Sequence, residues 1–298
     1  GLGFSNVVEP GSVAITGASG TGIQQLCCLL DAAGVGVRHA LGTGSRDLSD
    51  EIAARSTLQA LSALDADPEV NAIILVSKPP GRNVASTIEE AVARCRTPVV
   101  TALLGSEGVT LEGAARRAVE LLEVPWVEPP MWRPPETPRR PGYLRGLFSG
   151  GTLRAESHAI TTHLLGDVDS EPHTPGHWLC DFGDDRYTKG RAHPMIDPTL
   201  RLEALEATVA DAATGIIILD VVLGHGAHPD PASGLEPLVG RAAADDIGVI
   251  VSLCGSRSDP QGRDDQAERL MRAGAEVYVS NAAAAARAAS MAIGDDDG

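Results

Sequence analysis

Two stretches flanking a proline-rich segment repeat one order of elements, and no other feature limits the available folds as much. In the first, "GSVAIT" (Gly11 to Thr16) runs through "ASGTG" into an apolar helical pattern at Ile23 to Leu30. In the second, "YLRGLF" (Tyr143 to Phe148) runs through "SGGT" into a helical pattern at Leu153 to Leu165. Further along, "LSALDADPEVNAIILV" (61–76) and "LEATVADAATGIIILDVV" (205–222) each read as amphipathic helix, loop and buried strand. "PVVTALLGS" (98–106) and "GVIVSLCGS" (248–256) are both buried strands ending in Gly-Ser, each followed by a helical stretch. Runs such as "NAIILV" carry no polar alternation, as parallel strands covered on both faces require. The sequence therefore predicts an α/β fold of two doubly wound, flavodoxin-like parallel-sheet domains related by an internal repeat. Ligand groups are expected at the carboxyl ends of the strands, where both glycine turns fall.

The proline-rich segment, Val124 to Gly142, holds seven prolines, which exclude helix interior and central strand. It sets the expected division: a first domain over 1–125, a linker over 126–142 and a second domain over 143–298. The length of 298 residues suits two domains at about 150 residues each. The chain opens on Gly1 and enters a strand almost at once, which gives the expectation that it is a fragment.

Composition narrows the partners. Aromatic residues make up only 3%, so the cores must be built from Val, Ile, Leu and Ala. A formal charge of -16, from 24 basic and 40 acidic residues, opposes broad binding to nucleic acid or anionic lipid. No run of 18 apolar residues suggests a membrane span, and the first residues lack a signal-peptide pattern. The five cysteines form no C-x-x-C, which points to a reducing cytoplasm rather than a disulfide framework. The alanine-rich stretch Ala282 to Ile293 reads as a packed terminal helix.

The first turn places glycines at Gly17, Gly20 and Gly22, an order of G-x-x-G-x-G. A dinucleotide fold requires G-x-G-x-x-G and an acidic residue about 20 positions later. The corresponding stretch, Gly34 to Gly44, offers Arg38 and His39 instead, and no tyrosine has a lysine four residues on. What remains is a site for a small anion. Backbone N–H groups at a helix N-terminus, open at Gly20 and Gly22, join the hydroxyls of Ser19 and Thr21. The second turn, Ser149, Gly150, Gly151 and Thr152, has the same composition. Two helix N-termini aimed at one point could hold a phosphoryl group from both sides. The alternative is that these glycines only make tight turns.

Several side chains fall near the expected ligand edge. His225 and His228 in "LGHGAHPDPA" follow a buried strand and could act as acid, base or phosphoryl acceptor; equally, each could fix its own turn. The Gly-Ser pairs Gly105–Ser106 and Gly255–Ser256 end buried strands and are candidate substrate contacts. Arg201 in "MIDPTLR" could reach a substrate carboxylate bidentately, while Asp197 and Pro198 suit a helix start. "SRDLSDEI" predicts a loop ending in a Ser49 cap and an acidic first helical turn. His158 and His163 lie five apart on a helix and share no face. His173, His177 and His193, with Asp181, Asp184 and Asp185, crowd a region rich in proline and glycine. That region predicts a long surface loop, and no metal is expected there.

The runs "GASGTGIQQL", "HALGTGSRDLSDEI", "VSKPPG", "SGGTL", "HPMIDPTLR" and "DVVLGHGAHPDPA" resemble FdrA proteins, relatives of succinyl-CoA synthetase, over nearly the whole chain. The resemblance implies a fusion of two ligase domains whose helix N-termini share a phosphate site. Ser19, Gly20, Thr21 and the adjoining Gly22 fall in the first turn, and Gly150, Gly151 and Thr152 match the second. It also implies a CoA-binding domain that would precede Gly1, so that CoA is expected only with that missing domain. Phosphate, acyl phosphate or carbamoyl phosphate is then the expected ligand of this chain. The synthetase's phosphohistidine loop has no counterpart, since "SEGVTLEGAARR" carries no histidine. Carbamoyl transfer, linked to this family in purine catabolism, needs no such residue, and acyl-CoA ligation is the other implied chemistry. Partner subunits are implied, and a homo-oligomer fits the same picture. A non-catalytic scaffold is the competing reading.

Overall fold

The structure is a computed structural model that describes residues 4–44, 46–77, 81–105, 108–172 and 174–293. It divides into two compact units, residues 8–129 and residues 130–298 joined by 1–7.

The first unit contains β1 (Pro10–Gly17), α1 (Gly20–Ala32), β2 (Val37–Gly42), α2 (Arg55–Ala66), β3 (Ala72–Ser77), α3 (Arg82–Arg94), β4 (Val99–Leu103) and α4 (Leu111–Leu121). Its sheet is parallel in the order β2-β1-β3-β4. All six residues of β3 are buried, as the unbroken apolar run demands of a strand covered on both faces. Chain direction through the sheet reverses beside β1, so a crevice opens at the carboxyl ends of β1 and β3. The α1 turn lies there.

The second unit contains β5 (Met131–Trp132), β6 (Tyr143–Phe148), α5 (Gly151–Leu165), β7 (Val168–Asp169), β8 (His177–Asp181), α6 (Asp185–Thr188) and α7 (Thr199–Ala210). It continues with β9 (Thr214–Val222), α8 (Pro231–Ala244), β10 (Gly248–Cys254), α9 (Arg263–Arg272), β11 (Ala275–Tyr278) and α10 (Asn281–Ile293). The sheet order is β5-β11-β10-β9-β6-β8-β7. Within it the order β8-β6-β9-β10 repeats β2-β1-β3-β4, with β11 added beside β10 and the two-residue strands β5 and β7 at the edges, so the repeat seen in sequence is a repeat of topology. All nine residues of β9 and all seven of β10 are buried. Each fully buried Val, Leu or Ile contributes about 1.5–3 kcal/mol. The alanine-rich α10 packs its small side chains, among them Ala284, Ala285, Ala288 and Ala289, inside the unit.

Three expectations are corrected. The stretch read as a long surface loop contains β8, whose Trp178, Leu179 and Cys180 are buried and whose backbone pairs with β6. A five-residue strand between proline and glycine clusters was too short to show a period. The proline-rich segment is not a free linker. Met131 and Trp132 pair antiparallel with β11 at the sheet edge, where proline neighbours are tolerated. Thr137 donates to the fully buried Glu276, which Arg287 also holds through two nitrogens. Finally, Ser49 does not cap α2. The chain makes further turns to Ala54, and Asp47 accepts from the Ser56 and Thr57 backbone N–H groups at 2.9 Å each and from the Thr57 hydroxyl. These hydrogen bonds, although burial opposes them as the largest single influence, hold the Asp47 carboxyl below its ordinary value.

Gly17 marks the tightest approach in the first sheet: a Cβ there would overlap the Val76 carbonyl oxygen, which is backbone and cannot rotate away. At Gly20 a Cβ would meet nothing within 4 Å. Gly17→Ala is therefore expected to destabilise the first unit by about 1–3 kcal/mol, while Gly20→Ala leaves it unchanged or slightly firmer. Denaturant midpoints of the two variants check this, and equal midpoints would contradict the close approach.

Candidate functional site

The two glycine turns have the same composition but are used differently. In the first, Ser19 caps α1 by accepting from Gly22 N–H at 3.1 Å. The N–H groups of Gly20 and Thr21 have no partner among the described residues, and Gly20 is exposed. These orphan donors, with the positive end of the helix dipole, are free for an anion.

In the second, the protein supplies the anion itself. Asp220, wholly buried near the end of β9, accepts from Ser149 N–H and Ser149 Oγ at 2.8 Å each through Oδ1, and from Gly150 N–H at 2.7 Å through Oδ2. Arg201 reaches over from α7 and donates through one nitrogen to Asp220 Oδ1 and to the Asp220 carbonyl, both at 2.6 Å. Asp181, at the end of β8, adds a second carboxylate: its Oδ2 lies 2.6 Å from where a Gly151 Cβ would stand. A phosphate dianion at this turn would meet both acids. The expectation that Gly150, Gly151 and Thr152 form a second phosphate cradle is thus corrected. Arg201 is corrected with it, because its guanidinium is buried against Asp220 instead of facing a substrate. Burial holds the Arg201 pKa below its ordinary value even though Asp220 opposes the shift.

The registers explain the difference. Gly17 pairs with Val76 in the first sheet, whereas Leu147, just before Phe148, pairs with Leu219, just before Asp220. Asp220 therefore stands where the first unit has Val76. The sequence reading passed over it because it sits inside "GIIILDVV". A single acid within an otherwise unbroken apolar run was the available signal.

Around this pair lie His193 and Asp181. His193 Nδ1 accepts from Met195 N–H at 3.2 Å, which leaves the ring proton on Nε2. Burial first, and Arg201 next among the lowering influences, keep His193 below its ordinary value, so the ring is neutral at neutral pH. Burial pushes the Asp181 carboxyl up, with Asp220 adding to the rise. The ring of Phe4 lies 5.5 Å from that of His193.

The other candidates take structural positions. His228 Nδ1 accepts from Asp230 N–H at 3.1 Å and so fixes its own turn. His225 is exposed, and its backbone bridges to Ser5 through two hydrogen bonds. Ser256 was expected to contact substrate; instead it is buried and its hydroxyl donates to the Val7 carbonyl. Gly255 is packed against Leu223, and Gly105 takes a φ of 102° at the end of the first sheet. Asp197 accepts from the backbone and hydroxyl of Thr199 and so caps the first turn of α7. His158 Nε2–H donates to the Val168 carbonyl at 2.9 Å, and His177 Nδ1 accepts from Leu144 N–H at 2.9 Å. Ser106 and His173 lie outside the described residues.

Arg201→Met strands the Asp220 charge in the interior and is expected to cost about 3–5 kcal/mol of stability, read from chemical denaturation. Asp181 has a folded-state pKa above its unfolded value of 3.8, so folding binds a proton and stability falls as pH rises through that window. Asp181→Asn should therefore stabilise the chain near neutral pH and do little in acid. A stability gain independent of pH would contradict the assignment.

Residues 8–102, within the first unit, match the family model described as CoA binding domain, and residues 147–291, within the second, match the model described as CoA-ligase. The expectation that the chain lacks a CoA-binding domain is overturned by the first match. The chain is 34% identical over 318 residues to the uncharacterized protein YahF of Escherichia coli strain K12, covering 94% of this chain and 62% of that protein. It thus spans less than two thirds of that relative's length. Among solved structures, PH0766 from Pyrococcus horikoshii OT3 matches at 14% identity and a TM-score of 0.33, covering 97% of this chain and 65% of that one. ATP citrate lyase from Methanothrix soehngenii matches at 11% identity and a TM-score of 0.31, covering 98% and 51%. The chain thus carries a match to a CoA binding domain in its first unit and to a CoA-ligase domain in its second.

Proposed function

We propose that the chain is an FdrA-like component of an acyl-transfer enzyme, in which the α1 turn of the first unit binds a phosphoryl group of CoA, acyl phosphate or carbamoyl phosphate. The observation that carries this reading is the open α1 turn: among the described residues the Gly20 and Thr21 N–H donors have no partner, and nothing stands within 4 Å of a Cβ built at Gly20. The CoA binding domain match spans this turn, which supports CoA as well as a simple phosphate. Between the two chemistries, the lack of histidine after β4 favours transfer of a carbamoyl or acyl group over ligation through phosphohistidine. The second turn, whose Ser149 and Gly150 donors Asp220 already takes, favours the competing reading of a scaffold subunit.

Thermal unfolding against phosphate, carbamoyl phosphate, CoA and NADH, with sulfate and matched chloride as ionic controls, tests the reading. A ligand at 100 times its dissociation constant adds about 2.7 kcal/mol, a rise of a few degrees. Gly20→Asp places a carboxylate in the open turn, where the helix dipole tolerates it, and is expected to fold normally and lose the response. No response in the native chain, or one to NADH alone, would leave the turn structural and favour the scaffold.

A further inference from the structure

We propose that the cavity between the end of α6 and the start of α7 is a binding site for a small zwitterion, an α-amino acid with a short apolar side chain. The cavity measures about 250 Å³, and Tyr187, Gly190, Arg191, Pro194, Asp197 and Leu200 line it. That size falls just below the roughly 300–1,000 Å³ of sites for drug-sized ligands. It lies at the carboxyl side of the second sheet, where the chain leaves β8 through α6 and turns back over the edge into α7. Its rim is open at Gly190, where φ is 80° and an added Cβ would meet nothing within 4 Å. Its wall is packed. Pro194 is buried, and Tyr187 and Leu200 are half-buried. The Tyr187 ring is fixed by the Phe182 ring at 5.1 Å and by the Cys180 thiol, which donates to its hydroxyl at 3.5 Å.

Charge selects the ligand. Arg191 and Asp197 line the same cavity with opposite charges, yet no ion pair joins them, and the guanidinium has no hydrogen-bond partner among the described residues. Asp197 has committed one oxygen only. Its Oδ1 accepts from the Thr199 backbone N–H at 3.1 Å and from the Thr199 hydroxyl at 2.6 Å, while Oδ2 has no partner among the described residues. The Thr199 hydrogen bonds first, with Arg191 and His228 adding to them, hold the Asp197 carboxyl below its ordinary value, so it is ionised at neutral pH. A simple anion would gain Arg191 but face Asp197, and a simple cation would meet the reverse. A zwitterion answers both. Its carboxylate would accept from the Arg191 guanidinium and its ammonium would donate to Asp197 Oδ2, while a short apolar side chain covers Tyr187, Pro194 and Leu200. The site shares no residue with the α1 turn and goes beyond the function proposed above.

The test is a titration of the intact, isotope-labelled chain with L-valine, isovalerate, isobutylamine and inorganic phosphate, followed by the backbone amide resonances of Gly190, Arg191 and Ala192. Isovalerate is valine without its ammonium, and isobutylamine is valine without its carboxylate. L-Valine is expected to shift these resonances saturably and to bind about fivefold more tightly than either truncated probe, the worth of an ion pair that stays partly in water. Asp197→Asn, which keeps a capping oxygen for α7, and Arg191→Gln are each expected to fold as the native chain does and to weaken valine binding about fivefold. Should Asp197→Asn fold poorly, Arg191→Gln decides, because the exposed Arg191 side chain holds nothing in the fold. Gly20→Asp, which fills the α1 turn, is expected to leave valine binding unchanged, so the two readings fail separately. Equal or tighter binding of any other probe, no saturable response, an unchanged affinity in the Arg191 variant, or loss of the valine response in Gly20→Asp would each overturn the proposal.

Discussion

The arrangement of the second unit depends on one buried interaction, the Asp220 carboxylate held between Arg201 and the first N–H groups of the Ser149–Gly150 turn. A carboxylate brought into a wall of β9 side chains costs several kcal/mol unless all its lone pairs are used. Here they are used: two backbone N–H groups, one hydroxyl and one guanidinium converge on it. The same bonds fix where β6 ends, where α5 begins and how α7 lies over the edge. The two N–H groups that lead into α5 are thereby answered from within the fold, with the partly exposed Asp181 and His193 nearby.

The repeat makes the meaning of that pair visible. Both units run strand, turn, helix and strand with the same neighbour order, and both turns are built from Ser, Gly and Thr. One difference decides the charge at the turns: Val76 in the first sheet stands where the second has Asp220. A valine contributes nothing charged to its turn, and the α1 donors remain open. An aspartate closes the other turn and alters the charge around it. A repeated topology with a valine exchanged for an aspartate beside the turn therefore yields two edges of different chemistry, one suited to an anion and the other hostile to one.

Much of this fold was legible because parallel strands buried on both faces leave unbroken apolar runs, and because each βα turn is marked by glycine and hydroxyl residues. Runs such as "NAIILV" and "GVIVSLC" could not be mistaken for half-exposed strands. The short strand β8 was illegible for the opposite reason: five residues within a field of prolines, glycines and acids hold too little period to be counted. The second turn was misread at the level of charge. Composition announced a phosphate cradle, but whether a cradle is empty depends on a partner 71 residues away in sequence, and no local pattern reports that. The same holds for Arg201 and Ser256, whose polar ends suggested substrate and whose positions supplied internal partners.

Asp47 shows how the argument generalises. In the first unit the α2 N-terminus is again met by an internal carboxylate, which accepts from Ser56, Thr57 and the Thr57 hydroxyl. The fold thus answers helix N-termini with its own acids at Asp47, Asp197 and Asp220 and with neutral hydroxyl caps at α1 and α4. A serine oxygen satisfies one donor and brings no charge, so no acid among the described residues answers α1, whose turn lies at the switch point of the first sheet. In a chain with a net charge of -16, acids were abundant enough to fill that position too. That the first turn has a neutral cap instead is the strongest physical reason to look for its ligand there.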